Sequence, residues 1–267
     1  MNRPPDLPDF EDPPLHEVVL GVQFATPRGF QQIFAGEVWE LYRKDFPKVG
    51  EQPALPPSFE TFGLTENQQF NFGFLTGAIP NRYWFLSANG DELIQFQSDR
   101  LLHNWRKVGD ETNPYPRFES MIEKFEDELS KLEFYFTRFG SEKLNINQCE
   151  LTYVNEIIIA DSQESSVENW LNLVNLKNIG AEGFKLEFKK AIKDTQGNPY
   201  GRLICEASTT TNKKNEPIIS LNLTVRGAPQ ESNIKFALDL LRSGRELIVV
   251  SFDEVTTDFA HKKWSKK

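Results

Sequence analysis

Residues 83–96 read YWFLSANGDELIQF, and this stretch contains the strongest local signal for the fold. Asn89-Gly90 separates two apolar runs, and both residues tolerate the positive φ angles of a tight type I′ turn. The stretch therefore predicts a β-hairpin. The chain also contains 22 Phe, 6 Tyr and 5 Trp, a content typical of half-buried strands and of the helices that pack on them.

Around this hairpin, the first 140 residues predict the element order β-α-ββββ-α. Leu15–Phe24 alternates as a first strand, and apolar residues from Phe30 to Tyr42 recur at helical spacing. Residues 47–60 include four prolines, so they are predicted to form a loop. The four strands that follow are predicted at Gln68–Leu75, Arg82–Ser87, Leu93–Phe96 and Leu101–Val108.

A long helix is predicted to complete this part of the chain. Asn113-Pro114 precedes it, and Gly140 is a typical C-terminal stop. Its apolar residues follow one another at spacings of four and three, which places them on one face: Phe118, Ile122, Phe125, Leu129, Leu132 and Phe136.

The remaining residues predict the order β-α-βββ-α. Gln148–Ala160 is rich in β-branched residues and predicts a strand, and Ser166–Leu176 predicts a short helix. A long helix is predicted from about Glu231, with Thr256-Thr257-Asp258 ending it and capping a short final turn. The three strands between the helices are predicted at Phe184–Ile192, Arg202–Thr210 and Ile218–Val225.

These elements predict an α+β fold with two similar halves, each a curved antiparallel sheet packed on a long helix. The two sheets are expected to join into one saddle or sandwich. Only the order of the elements indicates this pseudo-duplication, since no repeat of individual residues is visible. The expected organisation is a Pro-rich N-terminal arm at 1–14, a first half at 15–140 and a second half at 141–267.

Composition and charge narrow the classes of function. A net charge of −9 argues against nucleic acid as a partner, because phosphate backbones are bound mainly by Lys and Arg. Cys149 and Cys205 are too few for a disulfide framework and are predicted to be small buried side chains. No stretch is typical of a signal peptide or a membrane span. The expectation is a cytoplasmic protein without a membrane interaction.

No motif assigns catalytic chemistry to this sequence. Its three histidines do not have metal-ligand spacing, and no nucleophile elbow or phosphate-binding loop is present. We therefore predict no catalytic residue, metal or cofactor, although an enzyme without a recognisable motif stays open. His103 is predicted to be a structural sheet histidine rather than a general base. Trp84 and Trp105 alternate with apolar residues and are predicted to face the core.

Several blocks of the sequence resemble a sporadically distributed, functionally uncharacterised bacterial family whose members have similar length. The blocks follow one another along nearly the whole chain: Pro14–Phe24, Gln95–Leu101, Asn104–Lys107, Tyr115–Phe118, Leu151–Ile157 and His261–Trp264. The resemblance implies no particular activity. The patchy distribution of the family is typical of mobile, defence or toxin–antitoxin genes.

The first functional hypothesis is therefore a non-catalytic interaction partner or regulator of another protein, encoded by a neighbouring gene in a bacterial anti-phage defence or toxin–antitoxin system. A homodimer is also compatible with exposed strand edges. The alternative is a small-ligand or nucleotide-binding module with a pocket between the sheet and a long helix. The candidate ligand-binding residues are Tyr83, Trp84, Arg106 and Tyr153.

Overall fold

A computed structural model describes residue 4 and residues 6–62, 81–159, 166–176 and 179–267. These residues form nine strands and four α-helices. The strands are β1 (Leu15–Phe24), β2 (Lys48–Pro53), β3 (Asn81–Leu86), β4 (Glu92–Gln97), β5 (Arg100–Arg106), β6 (Ile146–Ile158), β7 (Lys185–Lys193), β8 (Pro199–Thr211) and β9 (Pro217–Gly227). The helices are α1 (Ala35–Glu40), α2 (Phe118–Phe136), α3 (Ile234–Val255) and α4 (Asp258–Lys263).

All nine strands belong to one antiparallel sheet with the order β2-β3-β4-β5-β1-β6-β9-β8-β7. The central pair joins β1 to β6, with Val18 opposite Tyr153 and Leu20 opposite Leu151. Because side chains alternate along a strand, Val18, Leu20 and Val22 share one face. These three side chains are buried in the core. The α+β class is confirmed, and the two expected sheets are one continuous sheet.

One face of this sheet is covered by α2 and α3. The apolar stripe predicted from Phe118 to Phe136 is buried along its whole length, which confirms the predicted helix. Helix α3 lies against β6 and β9. Gly244 permits this close approach, because a Cβ atom there would come within 3.0 Å of Val225 Cγ1. The main core therefore lies between the helices and one sheet face.

The N-terminal arm packs against α3 and against the C-terminal segment, residues 264–267. Phe10 is buried and packs edge to face on Phe252, with ring centroids 5.4 Å apart. The amide of Glu11 donates to Ser265 O at 3.3 Å, and that of Asp12 donates to Trp264 O at 3.3 Å. The arm is thus part of the packed structure in its described residues. In the described ranges, no helix is long and apolar enough to cross a bilayer.

Several predicted elements differ from the observed ones. Residues 47–60 were predicted to be a loop, and they contain the edge strand β2. The helix predicted from Phe30 to Tyr42 is a 3-10 turn at Gln32–Phe34 followed by the six residues of α1. The helix predicted at Ser166–Leu176 is only a 3-10 turn at Val167–Asn169. The strand predicted at Gln68–Leu75 lies outside the described residues.

Candidate functional site

The sheet face away from the helices carries a row of polar side chains. Along this row Gln95 lies opposite Leu102, Leu102 lies opposite Gly21, and Gly21 lies opposite Glu150. Six polar residues near the row are buried, which is unusual for such side chains unless they have partners or a function: Gln23, Gln95, Gln97, Arg100, Asn104 and Gln148. The middle of the row has no side chain, because Gly21 occupies it.

A covering segment, residues 54–62, closes over part of this polar face. Gln97 exchanges two hydrogen bonds with the backbone of Leu55, at 2.9 and 3.1 Å. Gln23 exchanges two with the backbone of Ser58, at 2.7 and 3.2 Å. The two side-chain amides thus satisfy backbone groups of a segment that has no regular secondary structure. Buried glutamines on the sheet therefore hold the covering segment in place.

Between the covering segment and the sheet lies a polar cavity of about 580 Å³, a volume that includes open solvent at its mouth. Its floor is the sheet around Gly21, and its walls include Leu55 and Ser58 of the covering segment. Its charged lining residues are Arg82, Arg100 and Glu150. Since Glu150 accepts a hydrogen bond from Arg226 Nε, its charge is already engaged outside the cavity.

The two arginines of the cavity differ in their partners. Arg100 Nε lies 3.3 Å from Asp99 Oδ1, and its Nη2 donates to Gln23 and to Pro56 O. Arg82 donates to the neutral oxygens of Gln95 and Pro53, and no carboxylate of the described residues pairs with it. Partial burial lowers the pKa of the Arg82 guanidinium, and the positive charge of Arg100 lowers it further. An anion bound beside Arg82 would relieve this repulsion.

Gln148 adds a neutral hydrogen-bond donor to the same cavity. Its side chain is 3% exposed and lines the cavity. Its Nε2 group is buried and has no hydrogen-bond partner among the described residues. A buried donor without a partner loses its hydration without compensation, so it is retained at a free-energy cost unless a ligand accepts from it.

A second cavity, the arm cleft, lies on the helix-covered face. It measures about 590 Å³ including its mouth, and it separates the N-terminal arm from the sheet, α2 and α3. Tyr115 Oη and Tyr153 Oη are 3.2 Å apart at its polar end. Burial raises the pKa of both tyrosines above the ordinary value, so both remain neutral hydroxyls. The apolar lining residues are Pro8, Phe10, Pro13, Leu15, Phe118, Leu223, Ile248, Val249 and Phe252.

The arm cleft also contains a buried ion pair. Arg245 is 3% exposed, and its Nη2 lies 3.2 Å from Glu119 Oε1. The two charges neutralise each other within the wall of the cleft. A charged ligand would find no free opposite charge at this position, and its loss of hydration would not be offset.

A third buried polar group joins the sheet to α2. His103 is fully buried on β5, and its Nδ1 lies 2.9 and 3.0 Å from the two carboxylate oxygens of Glu128. Burial alone lowers the pKa of His103, but the nearby Glu128 carboxylate outweighs it, and the pKa lies above the ordinary 6.5. This histidine has a structural partner and lines neither cavity.

The structure separates the four predicted ligand-binding residues. Trp84 and Arg106 meet on the polar face, with the guanidinium carbon 5.4 Å from the ring centroid. Tyr83 lies on the helix-covered face, where Gln32 Nε2 donates to its hydroxyl at 3.2 Å. Tyr153 lies at the polar end of the arm cleft. The prediction that Trp84 faces the core is wrong, because its register with Gln95 places it on the polar face.

The burial predicted for Trp105, Cys149 and Cys205 is confirmed. Trp105 is buried in the core at 1% exposure, and Cys149 and Cys205 are buried and free. In the part of the chain that the structure describes, no three potential metal ligands lie together. The predicted ligand-binding residues do not include Arg82, Arg100 and Gln148. Their only signal was the alternation of polar with apolar residues, which also fits a solvated sheet face.

The chain was compared with protein-family models and with curated proteins of known sequence. No family model matches it. No curated protein is similar to it in sequence. Inferences about its function therefore depend on the chemistry of the two cavities.

Proposed function

We propose that the protein is a binding module whose polar cavity takes a small molecule with a carboxylate or phosphate group. The observation that carries this proposal is the combination of Arg82, which has no carboxylate partner among the described residues, with the unpartnered amide of Gln148 in one cavity. A guanidinium offers two parallel N–H donors to such a group. The amide of Gln148 adds a third donor.

The charge balance of the cavity favours one anionic group rather than several. Arg100 is already paired with Asp99, and the nearby Arg226 is paired with Glu150 and Glu60. This leaves the charge of Arg82 to be matched by a ligand. A monocarboxylate or a phosphate monoester would supply that charge without adding strong repulsion from Glu150.

Isothermal titration calorimetry with acetate, succinate, inorganic phosphate and adenosine monophosphate tests this proposal. At least one of these anions should bind the full chain, and Arg82→Gln should weaken its binding by about 10- to 100-fold. Arg106→Gln is the matched control. The guanidinium groups of Arg82 and Arg106 both lie over the Trp84 ring, but Arg106 does not line the cavity. Equal losses in both variants, or no binding of any of the anions to the wild type, would contradict the proposal.

Gln148→Leu separates binding from stability. Removal of the unpartnered amide should stabilise the unliganded protein by about 1 kcal/mol and weaken the anion affinity at the same time. Urea unfolding and calorimetry measure the two effects. A variant that loses stability would show that the amide already has a partner in the unliganded protein.

A protein partner is the second candidate function. The observation that favours it is the outer edge of β2, which pairs with β3 on one side and with no described strand on the other. Val49 on this strand is 48% exposed. An added strand of a partner or of a second copy would complete such an edge. A role in anti-phage defence or in a toxin–antitoxin system, a homodimer, a cytoplasmic location and membership in the resembling family stay predictions.

We also propose that the two halves, 15–140 and 141–267, derive from a duplication. In the first half β1 pairs with β5, the last strand of the β2–β5 series, and α2 follows. In the second half β6 pairs with β9, the last strand of the β7–β9 series, and α3 follows. This shared order of pairing supports the proposal, and the antiparallel β1–β6 pair would be the junction of the halves.

A further inference from the structure

The arm cleft has a chemistry different from that of the polar cavity. It lies on the opposite face of the sheet, because Tyr153 is opposite Val18 in the core whereas Glu150 is opposite Gly21 on the polar face. The two sites share no lining residue. Binding in one is therefore a separate property from binding in the other.

The cleft combines apolar walls with one polar end. Aromatic and aliphatic side chains of the arm, of α3 and of the sheet form the walls, with Phe10 and Phe252 in contact at one side. The hydroxyl pair of Tyr115 and Tyr153 lies at the polar end. A mostly apolar pocket with a few converging hydrogen-bonding groups is the usual form of a small-molecule site.

We infer that the arm cleft binds a neutral, mainly apolar small molecule that carries one hydrogen-bonding group, with that group at the Tyr115–Tyr153 hydroxyl pair. Neutrality follows because the four charged lining residues form two ion pairs, Arg245 with Glu119 and Arg117 with Asp9. One hydrogen-bonding group is sufficient, because a neutral hydroxyl pair can exchange its mutual hydrogen bond for one with the ligand.

The N-terminal arm should respond to a ligand in the cleft. Pro8, Phe10 and Pro13 form one wall, and the backbone hydrogen bonds from Glu11 and Asp12 to the C-terminal segment hold that wall. A ligand that contacts the arm would reduce the opening of these hydrogen bonds. Amide hydrogen exchange of residues 10–12 should therefore slow when the cleft is occupied.

Indole is a suitable probe because it is neutral and apolar and has one N–H donor. Calorimetric titration of indole into the wild-type chain should show saturable binding, and Val249→Phe should weaken it by about tenfold or more because the added ring fills the cleft. Val250→Phe is the matched control, since the neighbouring Val250 is 38% exposed and does not line the cleft. Retained binding in Val249→Phe, or no binding to the wild type, would overturn the inference.

Tyr115→Phe provides a second test that keeps the ring in place. Loss of its hydroxyl should weaken indole binding by about three- to tenfold and leave the affinity for the anions of the polar cavity unchanged. An unchanged indole affinity in this variant would contradict the assigned polar end. Saturating acetate or phosphate should not displace indole. A negative result for the arm cleft can therefore be distinguished from a negative result for the polar cavity.

Discussion

Gly21 shows how one residue determines the shape of the polar cavity. It lies at the centre of the polar row on the central strand β1, with Leu102 on one side and Glu150 on the other. A Cβ atom at this position would lie 2.4 Å from Leu102 Cδ2, a distance that no real contact tolerates. The side chain of Leu102 would have to turn, and Leu102 itself lines the polar cavity. A single added methyl group therefore changes the shape of the cavity.

Gly21→Ala should reduce the free energy of unfolding by about 1 kcal/mol or less, because the atom that it meets is the end of the flexible Leu102 side chain. Leu102→Ala removes a buried side chain and should also destabilise the protein. The double variant Gly21→Ala/Leu102→Ala should lose less than the sum of the two, since the smaller residue makes room for the new methyl group. Urea unfolding of the four proteins measures this difference. Additive losses would show that Leu102 does not meet the new group.

A helix or strand is easier to predict from the sequence when one of its faces is buried and the other is exposed. Helix α2 buries one continuous stripe, so its spacing of four and three is visible in the sequence. Among the described strands, β2 pairs on one edge only, and Pro53 at its end suggests a loop. Proline is tolerated there because an edge strand has backbone groups that need no partner. The local sequence therefore predicted a loop where the structure has strand β2.

Tertiary contacts explain the missing helix at residues 166–176. Leu171 forms a bridge with Thr256, and the amide of Asn172 donates to Val255 O at 2.9 Å. Trp170 stacks on Trp264, with ring centroids 5.9 Å apart. These partners lie more than eighty residues away, so local propensity contained no information about them.

The polar cavity could not be predicted from the sequence, because it too depends on contacts between distant residues. Alternating polar residues on a strand usually face solvent, and here the covering segment buries them. Gln97 and Gln23 hold Leu55 and Ser58 by hydrogen bonds between residues that are more than thirty positions apart.

Tyr153 was predicted as a ligand-binding residue, and it lies in the arm cleft between sheet and helices, where a pocket was expected.

Helix α4 depends on its cap, because it is only six residues long. Thr257 Oγ1 accepts from the amide of Ala260 at 3.2 Å and donates to Asn169 O. Thr257→Ala should reduce the free energy of unfolding by about 1 kcal/mol. Hydrogen exchange at residues 260–264 should become faster.

Thr257→Ser is the control, because it keeps the hydroxyl and removes only the methyl group. Its stability should stay close to that of the wild type. If Thr257→Ser loses as much stability as Thr257→Ala, packing of the methyl group rather than the cap is responsible.

At the scale of the whole molecule, the His103–Glu128 pair makes stability depend on pH. The folded-state pKa of His103 lies above its ordinary 6.5, so the protonated form favours the folded protein. This contribution is fully present below the pKa of the unfolded chain. It is lost as the pH rises through the higher pKa of the folded protein. Glu92 strengthens the effect and Lys124 opposes it.

Urea unfolding from about pH 5.5 to about pH 9 checks this expectation. The wild type should lose stability with rising pH, and the apolar double variant His103→Leu/Glu128→Met should lack this component. The double variant is an appropriate control because a well-packed apolar pair can replace a buried ion pair at little cost in stability. The same pH dependence in both proteins would assign the effect to the general negative charge of the chain.

The position of β1 at the centre of the sheet has a consequence for how the chain acquires its structure during synthesis. Val18 pairs with Trp105 on one side and with Tyr153 on the other. Of the nine described strands β1 is translated first, and it stays unpaired until Trp105 and later Tyr153 have also been translated. Closing such long loops slows folding, and an unpaired apolar strand is prone to aggregate meanwhile. We expect slow refolding and a dependence of the yield on dilution or on a chaperone.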